Sequence, residues 1–409
     1  MQTAFVRLLH TADWHLGLRL YKKEISEEHR YFFAWLRDLI KERKIDVLLI
    51  SGDIFDHANP SNDTRRLYYE FLKALIDLKI RVIITGGNHD SPGILNAPRE
   101  ILEMLDVHII GSIPEDSKTQ VIPLNAENGE LVTVVCAIPY LREPDIHALT
   151  LDAEYEDKRQ QVRDAIRKHY NQVAEFCVDY KVPVIAMGHL YAAGTSTSDS
   201  ERLIQMGNQS PVAANDFPSL FSYVALGHIH KPQRVAQLDH IRYSGSPVPL
   251  SFSEREDKKI VIELEIRDGE IIQRDHPVPG FRKLIRFKGS LEEVTSQARE
   301  YRDKGVVKSF GELHIEELSM NPGIYADAAR LVGDWNSEFI DIVNYTITNS
   351  SDTPRMQEMA NGTLDLKEIK PIDVLNKMME AGNVKLEDQE SMRLAFMELL
   401  DMDDEMEEE

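Results

Sequence analysis

Five short apolar stretches in this chain each run directly into a cluster of Asp, Asn or His. Phe5–Thr11 leads into Asp13-Trp14-His15, Asp46–Ser51 into Gly52-Asp53-Ile54-Phe55-Asp56, and Arg81–Thr85 into Gly86-Gly87-Asn88-His89-Asp90. Val182–Met187 leads into Gly188-His189, and Tyr223–Leu226 into Gly227-His228-Ile229-His230. With Val107–Ile110, Leu131–Ile138 and Ile260–Ile266 they make a set of Val-, Ile- and Leu-rich runs, as expected of strands covered on both faces. Helical patterns lie between the early runs. From near Asn62, the residues Leu67, Phe71, Ala74, Leu75 and Leu78 share one face at a spacing of about 3.6. Strand–helix alternation predicts an α/β domain over residues 1–276. In such sheets, sites form at the carboxyl ends of strands, so clusters remote in sequence can meet at one edge.

The residue types that would meet are carboxylates, one carboxamide and up to five imidazoles. Mixed oxygen and nitrogen donors suit Mn, Fe or Zn better than Mg or Ca. Their number exceeds what one ion needs and fits two ions sharing a carboxylate. Such a pair can acidify a water and clamp a phosphoryl group during in-line displacement. The glycines before Asp53, Asn88, His189 and His228 would let the backbone turn sharply and approach the site. Singly, each cluster has a plain structural explanation: Asp53 as a helix cap, Asn88 as a turn residue, a lone His in the core. Five at strand ends do not. His29, His57, His108, His147, His169, His240, His276 and His314 lack this context and read as structural or surface groups.

Beyond the first domain, Pro277-Val278-Pro279-Gly280 reads as a linker. A small α/β unit is expected over 281–349: strand Lys283–Phe287, helix Leu291–Arg302, strand Glu312–Glu316, helix Tyr325–Trp335, strand Phe339–Thr346. Two short amphipathic helices are expected over 365–402, either folded back on the chain or docking a partner's helices. An acidic tail, 403–409, follows. The two cysteines, Cys136 and Cys177, lie in apolar segments and read as buried thiols, which fits a reducing cytoplasm. No apolar run is long enough to span a membrane, and the N-terminus reads as a strand rather than a signal peptide. The net charge of −22 argues against a DNA-binding surface. Residues 386–409, with eleven acids and one base, account for less than half of it.

The motifs D-x-H, G-D-x-x-D, G-N-H-D, G-H and G-H-x-H, in that order over residues 13 to 230, resemble the signature of the calcineurin-like metallophosphoesterases, with no ligand substituted. Within that superfamily LLHTADWHLG, LLISGDIFDHANP and GNHDSP look like the bacterial SbcD-type exonuclease subunits. The resemblance implies a β-sandwich flanked by helices, a capping domain and a C-terminal segment that grips a partner. It implies one metal on Asp13, His15 and His230, another on Asn88, His189 and His228, and Asp53 between them. His89 would serve the leaving oxygen, with Asp56 orienting it. Two Mn²⁺ ions, double-stranded DNA ends and hairpins as substrate, an SbcC-like SMC-type ATPase partner and a homodimer are implied as well. The absence of a G-x-x-x-x-G-K-[ST] loop leaves ATP hydrolysis to that partner. The helix near 62–78 with Ala97–Leu105 is a candidate dimer face, or plain core. The competing readings are a phosphoesterase for small substrates and a decayed scaffold. The segments beyond the catalytic domain count against the first, and the complete motif set against the second.

Overall fold

The computed structural model describes residues 4–151, 155, 157–197, 211–303, 305–317 and 323–349. The helices expected over 365–402 and the tail lie outside the described residues.

Two six-stranded sheets form the α/β domain. Across the first, the order is Glu270–Pro277, Ile260–Arg267, Phe5–Thr11, Val47–Ser51, Arg81–Thr85, Val107–Ile110. Across the second it is Gln233–Arg234, Ile241–Tyr243, Phe221–Gly227, Val184–His189, Leu131–Ala137, Val121–Asn125. Side-chain alternation explains the layering. Leu8, Val47, Leu49 and Ile83 of the first sheet meet Val135, Ile185, Met187 and Tyr223 of the second in a shared inner core. Leu9, Leu48, Ile50 and Val82 point the other way, onto Phe32, Leu36 and Ile40 of the helix Ser26–Arg43 and Leu67, Phe71 and Leu75 of the helix Asn62–Asp77. Val134, Cys136 and Ala186 likewise pack on Ile166, Tyr170 and Val173 of the helix Lys158–Glu175. The inner strands are therefore apolar on both faces, as their sequences imply, while the edge strand Glu270–Pro277 is largely exposed. Ser61 caps the Asn62–Asp77 helix, its hydroxyl accepting from the Thr64 amide at 3.2 Å.

Cys136 and Cys177 are both buried free thiols with their sulfurs 3.5 Å apart. Among the described residues, no helix is long and apolar enough to cross a membrane.

After Pro277 the chain builds a three-stranded sheet in the order Leu284–Gly289, Ser309–Glu317, Ile340–Asn349, with helices Leu291–Glu300 and Gly323–Gly333. Ser290 and Glu293 close a capping box on the first helix. Phe287, Val294, Leu313, Ala328 and Ile340 form a small core of its own. Phe281, Leu284 and Phe310 instead join the main core beside Phe32. The Arg282 guanidinium forks onto the buried Glu28 carboxylate, tying the small sheet's first residues to the Ser26–Arg43 helix.

Candidate metal centre

Parallel pairing brings the five clusters together. Phe5–Thr11, Val47–Ser51 and Arg81–Thr85 run side by side, with Thr11 opposite Ile50 and Ser51 opposite Thr85, so all three end at one edge. In the other sheet Gly227 lies opposite His189. Pairing continues past the strand ends: the Asp13 amide donates to the Gly52 carbonyl at 3.1 Å and the His15 amide to the Asp53 carbonyl at 3.0 Å. These bonds fix Asp13 and His15 against Asp53.

The sharp turns are taken by the site residues themselves. Asp13, His15, Asp53 and His228 all have positive φ, at 53°, 46°, 51° and 102°. Each such non-glycine residue costs on the order of 1–3 kcal/mol and persists only when its surroundings impose it. Of the four expected glycine hinges, only Gly52 has positive φ, at 82°. At Gly227 the need is close approach, since a Cβ would strike the Ser51 carbonyl.

Asp13, Asp53 and His189 converge with ligand atoms within 4.8 Å of one another. The His189 Nδ1–H donates to the Ser51 carbonyl at 2.9 Å, which turns its Nε2 toward Asp53 Oδ2 at 3.2 Å and Asn88 Oδ1 at 2.9 Å. His228 Nδ1 also lies 2.9 Å from Asn88 Oδ1, and its amide donates to Asp13 Oδ1 at 2.8 Å. His15 Nε2 faces Asp53 Oδ2 at 3.5 Å, and the His230 ring stands 5.0 Å from that of His15. Asp13 Oδ2, His15 Nε2 and His228 Nε2 are buried without a hydrogen-bond partner among the described residues.

Electron-pair donors thus crowd one dry space, and the arrangement draws positive charge. Burial opposes protonation of His15, but the Asp56 hydrogen bond and the Asp53 and Asp13 charges prevail and push it up to about 9. His189 is raised to about 9 against the same burial cost, by Asp53 above all. Asp53 is held well below the ordinary carboxylate range, because His189 and His15 outweigh burial. The donor set and its orphaned atoms fit a pair of divalent cations.

Asp56 contacts His89 as the resemblance implies, but through its main chain. Its carboxylate accepts from His15 Nδ1 at 3.1 Å and contacts His57 Nε2 at 3.0 Å. His89 Nδ1 meets the Asp56 main-chain carbonyl instead, at 2.7 Å. His15, Asp56 and His89 also cluster closely enough to hold an ion. With one carboxylate oxygen already engaged by His15, the trio reads better as a hydrogen-bonded support than as a third site.

The family model of the calcineurin-like phosphoesterases matches residues 6–232. The SbcD chain of the SbcCD nuclease from Escherichia coli (strain K12) is 35% identical over 303 residues, 73% of this chain and 74% of that protein. The SbcD chain of Rhodobacter capsulatus is also 35% identical, over 71% of this chain and 74% of its own. That of Bacillus subtilis is 32% identical, over 76% and 82%. The chain belongs to the SbcD family of calcineurin-like phosphoesterases. It is a metal-dependent phosphodiesterase.

Several residues outside the predicted ligand and catalytic set also shape this family member's site. Asp90, inside the G-N-H-D string, is buried and accepts from the amides of Gly87, Ile54 and Phe55 at 2.9, 3.2 and 3.0 Å, lacing two ligand loops together. Arg142 holds the same turn from outside, donating to the Gly87 carbonyl at 3.1 Å and to that of Asp90. Glu254 Oε1 lies 3.3 Å from His230 Nδ1, and its other oxygen accepts from the buried Lys259 ammonium at 2.7 Å. Lys259 also donates to the His230 carbonyl at 3.0 Å. The sequence signal for Asp90 is its place at the end of the G-N-H-D motif; for Glu254 and Lys259 there is none.

Proposed function

We propose that the chain is the Mn²⁺-dependent nuclease subunit of an SbcC–SbcD-type complex, hydrolysing phosphodiester bonds at double-stranded DNA ends and at hairpins or distorted DNA. The observation that carries this reading is the single cluster formed by buried Asp13, His15, Asp53, His189, His228 and His230 with half-buried Asn88 and with His89 at its side, in a chain whose relatives are named as SbcCD nuclease subunits.

In this reading Asp13, His15 and His230 would hold one cation, Asn88, His189 and His228 the other, with Asp53 shared. When bound, the pair supplies Lewis acidity toward phosphoryl oxygens and lowers the pKa of water. The chain's own work is orientation and proton transfer. Asp56 and Glu254 fix the rings of His15 and His230 through their Nδ1 atoms, the Ser51 carbonyl that of His189. The His89 amide donates to Asp53 Oδ1 at 2.9 Å, placing its ring beside the site. Because a carbonyl only accepts, the His89 Nδ1 bonded to Asp56 carries a hydrogen, which leaves Nε2 for the substrate. In the imidazolium form it delivers a proton to the leaving oxygen as the P–O bond breaks.

The partner is an SMC-type ATPase, engaged through residues 365–402. Exposed Ile101, Met104 and Leu105 support a homodimer face, while Leu67, Phe71 and Leu75 of the 62–78 stretch are core. The complex would work in the cytoplasm on nucleoid DNA, with the partners supplying the positive surface that the acidic chain lacks.

The test is incubation with Mn²⁺ and end-labelled, hairpin-capped duplex, with a phosphate monoester in parallel and His89→Ala as control. DNA cleavage by wild type and not by the variant is expected. Monoester turnover with no DNA cut, with the ATPase present, would favour the small-substrate reading.

A further inference from the structure

Beside the metal centre lies a cavity of about 220 Å³ that the mechanism does not use. Tyr140, Tyr191, Ile146, Val162 and Tyr170 line it, and His189 forms the wall shared with the metal centre. The Tyr140 ring stands 6.2 Å from that of His189. Its amide donates to the Gly86 carbonyl at 2.8 Å, so this rim is tied to the loop that carries Asn88. Most of the lining is apolar, and the buried Tyr170 hydroxyl packs behind it against Gly188. Gln161, on another wall, donates from its amide nitrogen to Thr150 at 2.8 Å.

We infer that this cavity takes one nucleobase of the DNA strand whose phosphate lies on the metal centre. This rests on the nuclease reading above. A base is the flat, mostly apolar part of that substrate, with hydrogen-bonding groups on its edge. Tyrosine faces are its usual stacking partners in single-stranded recognition. The shared His189 wall puts the cavity within reach of a nucleotide held by its phosphate. A stacked, paired base cannot enter. The subsite therefore makes cleavage depend on local unstacking, which costs least at ends, hairpin tips and distortions.

The experiment uses the full chain with Mn²⁺. Single-turnover cleavage is compared on DNA that is intact or abasic at the nucleotide carrying the scissile phosphate, for wild type, Val162→Phe (which fills the cavity) and Tyr191→Ala (which removes a stacking wall). Wild type should cut intact DNA about tenfold faster or more than abasic DNA, the scale of one base–aromatic stack. Each variant should cut both substrates at similar, reduced rates. A penalty for base removal as large in the variants as in wild type would overturn the subsite. In parallel, 2-aminopurine deoxyribonucleoside monophosphate should be quenched on binding wild type and much less by either variant. If wild type cuts no DNA even with the ATPase partner added, the nuclease reading fails and the fluorescence alone decides the cavity: equal quenching in all three proteins sinks it. Should Val162→Phe misfold, Tyr191→Ala, at a partly exposed position, decides the question.

Discussion

Asp56 supports two histidines with two different groups: its carboxylate holds His15 at 3.1 Å and its main-chain carbonyl holds His89 at 2.7 Å. The two functions are therefore separable by mutation. Asp56→Ala removes the His15 contact and leaves the carbonyl. Loss of such a support typically costs about 10- to 100-fold in metal affinity. Metal titration of Asp56→Ala should show that weakening, with activity restored at high Mn²⁺. Activity that stays low at saturating metal would mean that the carboxylate acts on the chemistry after all.

Asp53 and His89 should also divide. Asp53 Oδ2 is shared by His15 and His189, so Asp53→Ala should leave the purified protein without its metal pair. His89→Ala should retain both metals and slow turnover by about 10²–10⁴-fold, the usual scale of a general acid or base. Metal content measured on both variants decides this, and equal loss would show His89 to be a ligand.

Glu254 and Lys259 form a buried ion pair at 2.7 Å behind His230. Removing one partner of such a pair costs about 3–5 kcal/mol, because the other is left buried and charged. Glu254→Gln should therefore lower unfolding stability by roughly that amount. A double variant, Glu254→Gln with Lys259→Met, should recover much of the stability but not the metal affinity, since His230 still lacks its carboxylate. Recovery of both would show that Glu254 serves packing alone.

How much of this could be read from the chain differs by feature. Phe5–Thr11, Arg81–Thr85 and Val107–Ile110 coincide with strands end to end, since apolar runs are local signals. The convergence of the five clusters was legible too, because parallel strands must end on one edge. The pairing of Ile260–Arg267 with Phe5–Thr11 was not, as antiparallel partners remote in sequence leave no periodicity. Nor was the role of Asp56: spacing places a residue near a site but does not say whether side chain or main chain makes the contact. His10 shows the same limit, an unremarkable residue in a strand that proves buried against Tyr223 and the Leu226 carbonyl.

Acid should weaken the fold before it reaches the carboxylates. Burial holds His10 down to about 3, and His29 and His169 down to about 4, so all three are neutral in the folded chain. In the unfolded chain they take up protons near pH 6.5. Between that pH and about 4 the unfolded state binds more protons, and stability falls as pH falls, by up to about 1.4 kcal/mol per pH unit for each histidine. His169 is the one to replace, being distant in sequence from the metal ligands and bonded, among the described residues, only to Gln120 at 3.2 Å by its Nε2. His169→Gln should make the pH dependence of unfolding free energy between pH 6 and 4.5 shallower by about one proton. Denaturant titrations of both proteins across that range measure the difference directly. Parallel slopes would mean that His169 is already protonated in the folded chain, and that burial there is offset by a charge partner.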